Sequence, residues 1–382
     1  PPRPLADTSG NATLTELTPG GSNWARQLAS YHEPGHGRSA AEIAITAGPL
    51  LLLWTLAGLA YQAGLWWAAL LLTLPAGLFL VRLFLIQHDC GHGAFFRDAR
   101  LNNWAGRTIG VFTLTPYDYW RRTHNMHHAT SGNLDRRGLG GIDLLTVDEY
   151  LALPRLRRLG YRLYRHPLVL FGLGPAFTFF LQNRLPVGLM HLGWRPWAST
   201  LGTTAVAAIL IAGAASVFGL WPVLMIYLTT VLVAATAGVW LFFVQHQYEG
   251  VAWARNGEWN RHDFALLGSS QYDLPPVLHW FTANIGVHHV HHLSSRIPYY
   301  RLGQVMRDHP ELRAMSRIGL RESFGYARLS LWDEANGRLV AFSQVTRSHP
   351  ARSARGEASH SPSSRAHAHA QAPRGATAAA ES

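Results

Sequence analysis

The sequence is short of charge. Asp, Glu, Lys and Arg make up 14% of its 382 residues, against about 25% in ordinary soluble domains. Lysine is absent, so every permanent side-chain cation is an arginine. The single cysteine, Cys90, excludes an intrachain disulfide and fits a reducing compartment. The formal net charge is +11, but the arginines are scattered and form no stripe, which argues against nucleic-acid binding. Residues 1–41 are polar and lack the short basic-then-apolar layout of a secretory signal. Apolar runs are plentiful: hydrophobic residues reach 48%. Low charge with long apolar runs points to a membrane protein.

Four runs are uncharged and close to the length that crosses a bilayer. Residues 43–60 and 65–86, the latter uncharged as far as Val81, flank a short polar turn, and residues 198–219 and 223–244 flank Leu220-Trp221-Pro222. Each pair is expected to form a transmembrane hairpin, the second helix continuing past Arg82 to His88. Residues 168–181 are apolar but short and carry Gly172, Gly174 and Pro175. They are expected to be re-entrant or to lie in the interface, and the mixed stretch 101–118 suits an interfacial segment. Residues 343–382, rich in Ser, Ala, Arg and His, read as a disordered tail.

The most informative stretch is His288-His289-Val290-His291-His292, preceded by Asn284. On a helix His288, His291 and His292 share a face, whereas His289 points away. His88-Asp89-Cys90-Gly91-His92 and His124-Asn125-Met126-His127-His128 repeat the spacing of i with i+4 or i+3. A lone pair of this kind is usually a surface feature; three such clusters predict a multinuclear metal site. His88, His92, His124, His127, His128, His288, His291 and His292 are too many donors for one ion, so two metals share them. His246, at the end of the last run, is a ninth candidate. Asp89 and Asn284 are suited to bond the outer nitrogens of ligating rings. Cys90 reads as packing. His32 and His36 are separated by Pro34 and Gly35 and read as a solvated loop. His166, His191, His262, His279 and His309 are isolated, and His367 and His369 belong to the tail. Neutral imidazole suits zinc, copper, iron or nickel, and spacing does not choose among them.

For the second and third clusters to meet, an even number of spans must separate them, which the last two runs supply. The segment between the hairpins carries Arg121, Arg122, Arg136, Arg137, Arg155, Arg157 and Arg158, and the hairpin turns carry none. By the positive-inside rule the clusters face the cytoplasm, in a cell inner-membrane protein.

These three clusters resemble the histidine boxes of the integral-membrane fatty acid desaturases, and the chain is most similar to the bacterial and cyanobacterial acyl-lipid type. The likeness extends to Gly132-Asn133-Leu134-Asp135-Arg136-Arg137-Gly138, Leu163-Tyr164-Arg165-His166-Pro167, Val244-Gln245-His246-Gln247-Tyr248-Glu249 and Leu331-Trp332-Asp333-Glu334, and covers residues 43–342. The resemblance implies two iron ions, O2, and two electrons from a ferredoxin- or flavodoxin-like donor. It also implies a cis double bond made in a fatty acyl lipid or carrier-bound chain, with His246 as the additional ligand. The expected fold is an all-α integral membrane protein: four transmembrane helices in two hairpins, with a cytoplasmic helical cap holding the di-iron site. Val287, Ala283 and Tyr299 depart from the usual flanks of the third box. The His-Pro-Gly-Gly signature of a fused haem donor is absent, so a separate donor is expected. Arginines on the cytoplasmic face suit an acidic one, though membrane orientation explains them equally well. Tunnel walls are expected on the apolar faces of the four spans and near Trp280 and Phe281.

A hydroxylase, ketolase or acetylenase would share every ligand, and only its product would differ. A membrane metal-binding or transport protein is the rival of another class. It needs ionisable groups inside the spans, and the apolar runs contain none.

Overall fold

The computed structural model describes residues 21–348. Four long apolar helices dominate it: α1 (His36–Gln62), α2 (Trp66–Gly91), α5 (Trp194–Phe218) and α6 (Leu220–His246), each long enough to cross a membrane. Between the pairs lie α3 (Ala99–Phe112) and α4 (Tyr117–Thr130). After α6 come α7 (Pro276–Phe281), α8 (His288–Leu293) and α9 (Tyr299–Asp308).

The helices overrun the apolar stretches that announce them. Gly219, at φ +86°, is the whole break between α5 and α6. Pro222, which the sequence places in the turn, sits in the first helical turn, where a missing N–H breaks no hydrogen bond. His36 opens α1, and half-buried His32 contacts Ser294 Oγ through Nε2 at 2.7 Å, so this pair is not a solvated loop. The tail lies outside the described residues apart from the short helix Phe342–Ser348, as do residues 1–20 of the polar N-terminal segment.

The fold is not purely helical. Leu331–Asp333 pairs in parallel with Leu145–Thr146 and antiparallel with Arg338–Val340, and Gln271–Asp273 pairs in parallel with Arg317–Gly319. Strands of two or three residues leave no alternating pattern to read in sequence. They tie the segments after α4 and α6 to the region beyond α9. Residues 168–181 form a π-helical turn, Val169–Leu173, followed by the helix Gly174–Phe180, which packs beside α6. Leu168, Leu173, Phe177 and Leu181 on this segment are exposed.

Close packing joins α2 to α6. A Cβ on Gly77 would lie 2.4 Å from Val233 Cγ1, so only glycine permits this approach. Just beyond the uncharged runs, α1 and α2 carry buried Glu42 and Arg82, paired with each other. Glu42 also meets Arg38 and accepts from the Tyr299 hydroxyl at 3.0 Å. Arg82 donates to the Trp280 carbonyl and lies 4.0 Å from that ring's centroid. This pair binds α1, α2, α7 and the start of α9 together.

Removing one partner of a buried pair leaves an uncompensated charge and costs about 3–5 kcal/mol. Arg82→Met should lower the unfolding temperature of the detergent-solubilised protein, followed by tryptophan fluorescence. Arg82→Met with Glu42→Leu should recover part of the loss; an unchanged transition in the single variant contradicts the assignment.

Candidate metal centre

Four segments deliver the histidines. The last turn of α2 carries His88, and His92 follows at its C-cap. One face of α4 presents His124, His127 and His128. The C-terminal residue of α6 is His246, and α8 carries His288, His291 and His292. A tight loop precedes α8: Ala283 and Asn284 adopt φ +48° and +54°. The N–H groups of His288 and His289 meet the Ser270 carbonyl at 3.1 and 3.3 Å.

The nine rings gather into two groups. His88, His92, His124, His128 and His291 form one, and His127, His246, His288 and His292 form the other. Within each group one nitrogen per ring lies within 4.8 Å of all the rest. The Nε2 atoms of His92 and His124 are 3.1 Å apart, those of His124 and His128 3.0 Å, and those of His128 and His291 3.2 Å. In the second group, His246 Nε2 lies 3.0 Å from both His127 Nε2 and His288 Nε2.

These separations fit metal binding. Two nitrogens about 2.1 Å from a shared ion at angles between 90° and tetrahedral lie roughly 3.0–3.4 Å apart. Buried His292 Nε2 has no hydrogen-bond partner among the described residues, a costly arrangement unless something else takes its lone pair. Outer nitrogens are anchored in part. His246 Nδ1 faces the Gly268 carbonyl at 3.1 Å, and His88 Nδ1 faces Asp89 Oδ1 at 3.3 Å. A metal-ligating histidine is normally held by such a contact. All nine donors are uncharged nitrogens, which suits a borderline transition metal and not calcium or magnesium.

Burial first, and the neighbouring rings second, hold His124, His127, His128, His288, His291 and His292 well below the ordinary histidine pKa. Each ring is therefore neutral near pH 7, the form that binds metal. His289 is also buried and pushed down to about 4 by burial, but its Nε2 turns away to the Leu312 carbonyl at 3.0 Å.

Asp89 accepts the Tyr299 N–H through Oδ2 at 2.7 Å besides facing His88. Asn284 bonds the Tyr299 carbonyl at 3.3 Å and no imidazole, because its left-handed backbone turns the side chain toward α9. Cys90 is buried in the core. His166, His191, His262, His279 and His309 stand outside both groups. Other residues around the rings escape the sequence reading. Trp120 stacks on His124 with centroids 4.7 Å apart, and Phe242 contacts His127 at 4.8 Å and His246 at 5.2 Å. Trp120 lies four residues before His124, a helical spacing that could have revealed it. Nothing near Gly268 in sequence marks its carbonyl.

A cavity of about 480 Å³ reaches the centre at His88, His124 and His288. Its walls include Phe84 of α2, Trp120 of α4, Phe179 of the short apolar segment, and Val231, Ala235, Gly238 and Phe242 of α6. From Gln245 to Val231, both on its wall, α6 advances roughly 21 Å. Helices α1 and α5 contribute nothing to it, and neither do Trp280 or Phe281. Trp280 is occupied by Arg82, and Phe281 packs on Phe79 with centroids 5.1 Å apart.

Two measurements test the site. Replacing His291 or His246 with Ala removes one donor from one group, and elemental analysis should show metal per chain falling by half or more. Full loading would remove that residue from the ligand set. The second measurement follows pH. A histidine whose folded pKa is lowered resists the proton that the unfolded chain accepts below about 6.5. Stability of the metal-free protein should therefore be complete above about pH 6.5 and fall as pH drops toward 4, whereas a flat profile contradicts neutral buried rings.

The fatty acid desaturase family model matches residues 64–324. A fatty acid desaturase of Bacillus subtilis (strain 168) is 39% identical over 320 residues, covering 84% of this chain and 90% of that protein. A Synechocystis sn-1 acyl-lipid omega-3 desaturase (ferredoxin) is 29% identical over 58% of this chain and 61% of its own. An endoplasmic-reticulum omega-3 fatty acid desaturase of Nicotiana tabacum is 27% identical over 66% of this chain and 68% of its own. With its histidines gathered into two donor sets beside an apolar cavity, the chain belongs to the fatty acid desaturase family of oxidoreductases.

Proposed function

We propose that this protein introduces a cis double bond into a fatty acyl chain at a di-iron centre, using O2 and electrons from a ferredoxin-like donor. The observation that carries this reading is the junction of cavity and centre. A largely apolar channel, long enough for an alkyl chain, ends on rings from both donor groups. The overall change is R–CH2–CH2–R′ + O2 + 2 e⁻ + 2 H⁺ → R–CH=CH–R′ + 2 H2O. Two C–H bonds break, one C=C forms, and dioxygen takes four electrons, two from the chain and two from the donor. When bound, iron supplies the oxygen chemistry that an unactivated methylene requires.

The chain's own residues do the rest. His88, His92, His124, His128 and His291 hold one ion, and His127, His246, His288 and His292 the other. Phe84, Trp120 and Phe242 keep water from the reacting carbons and fix the alkyl chain against the centre. Such placement can supply several kcal/mol of the barrier. Asp89 and Gly268 orient His88 and His246. The name of the Synechocystis relative supports ferredoxin as donor. The arginine-rich segment between the two pairs of membrane helices supports a cytoplasmic centre at the cell membrane.

The product decides the reading. Expression in a host without such fatty acids should yield new double bonds by gas chromatography–mass spectrometry. Hydroxylated chains without new unsaturation would instead establish an oxygenase. Position along the cavity is testable as well. A Cβ on Gly238 meets nothing within 4 Å, and the residue lines the channel. Gly238→Phe should keep the metal but cut turnover of long chains by about tenfold or more, the loss expected when a misplaced substrate forfeits positioning. Equal turnover of long chains would show that they do not pass Gly238.

A further inference from the structure

Electrons must reach the centre from outside, and the nine rings are not equally placed to receive them. Eight are buried, and only His92 is partly exposed. It also lies off the cavity, whose lining includes His88, His124 and His288. The apolar cavity, where a chain fits, thus meets the centre at other rings, a smaller pocket reaches His127 and His246, and His92 is the ring with partial exposure of its own. Beside His92 the surface is open. Gly93 is exposed at φ +66°, and a Cβ there would meet nothing within 4 Å.

Cations surround this opening. Arg121 crosses directly over the turn, its Cγ 3.8 Å from where a Cβ on Gly91 would lie, and bonds the Asn103 amide oxygen at 2.7 Å. Arg261 opens the helix Arg261–Leu267, which packs on α8, and its charge and that of Arg121 both bear on the His92 ring. Arg122 is exposed, and Met126, one turn further along α4, is 43% exposed. Asp263 is the nearby acid on Arg261's helix, and it is engaged by the Asn260 side chain. Several surface arginines elsewhere are paired with acids: Arg97 with Glu33, Arg107 with Asp118, and Arg255 with Asp135 and Glu334.

We propose that the surface around His92, flanked by Arg121 and Arg261, docks an acidic electron-carrier protein and that electrons enter the metal centre through His92. The inference rests on the desaturase reading for its need of electrons, and it adds where they arrive. An apolar side chain among cations is the kind of patch that gives an acidic partner both steering and a dry contact. Arg121 and Arg261 act here on the partner and not on the substrate, which lies on the other side of the rings.

The test uses the full-length, iron-loaded protein in phospholipid vesicles, with a plant-type [2Fe–2S] ferredoxin as donor and dithionite with methyl viologen as a bypass. Reduction of the bound iron, followed optically, reads docking independently of product. Arg121→Glu with Arg261→Glu should raise the ferredoxin concentration for half-maximal reduction by about tenfold or more and flatten its salt dependence. Reduction by dithionite should be unchanged, and the Lys double variant should recover most of the loss. Arg157→Glu, an exposed charge reversal elsewhere, should have little effect. If both reversals weaken ferredoxin equally, or the double variant does not weaken it, the docking face lies elsewhere. If the Glu variant loses iron, Arg121→Gln with Arg261→Gln replaces it under the same criteria. Failure of the desaturase reading would show separately, as normal reduction without new double bonds.

Discussion

Nine imidazoles packed ring against ring, eight of them buried, are unstable unless something accepts their lone pairs. Each loses water, and protonation would set like charges about 3 Å apart, so the rings are driven to the neutral state. Neutral nitrogens at 3.0–3.2 Å can be reconciled either by shared protons or by a shared cation. Shared protons serve pairs, but two sets of five and four nitrogens converge here. A cation at the middle of each set satisfies all of its members at once. The rest of the architecture brings four separate segments to these two points and holds them there through contacts of its own.

That holding is done largely by one buried polar chain. Asp89, next to ligand His88, accepts the Tyr299 N–H; Tyr299 donates its hydroxyl to Glu42; Glu42 pairs with Arg82; and Arg82 donates to the Trp280 carbonyl. Asn284 closes the loop by bonding the Tyr299 carbonyl. The two flanks of α8 are thereby fixed to α1 and α2. Tyr299 is one of the positions that departs from the familiar pattern, and it is the hub. Its ring also lies 5.3 Å from the Arg82 guanidinium, so the tyrosine contributes packing and two backbone groups to the same junction.

What sequence conveys here follows from range. Spacings of three and four residues describe a single helical face, so the histidines that share α4 or α8 are legible, and so is the outward turn of His289. The four membrane helices are legible because bilayer thickness sets a length that apolar runs must meet. Their ends are not, because a helix continues wherever its backbone bonds are satisfied: α1 begins at His36 and carries Glu42 inside it, although the apolar run starts only at Ile43. Partition of the rings is also hidden. His127 and His128 are adjacent in sequence yet belong to different groups, since neighbouring residues on a helix diverge by about 100°. The cavity walls needed the fold as well. The short segment after Tyr164 lines the channel, whereas α1 and α5, with the longer apolar runs, do not.

The partition gives the centre a direction. His288 belongs to one group and His88 and His124 to the other, and all three border the cavity, so both donor sets meet the channel. His92 differs: it does not border this cavity, it is the one ring of the nine that is not fully buried, and it belongs to the five-ring set. An apolar chain and a charged carrier need incompatible surroundings, the first excluding water and the second requiring it. On the function proposed above, a centre set between them would let each bind in its own solvent. Trp120 and Phe242, which line the cavity and pack on His124, His127 and His246, keep that side of the rings apolar, the condition an unactivated methylene needs beside the centre.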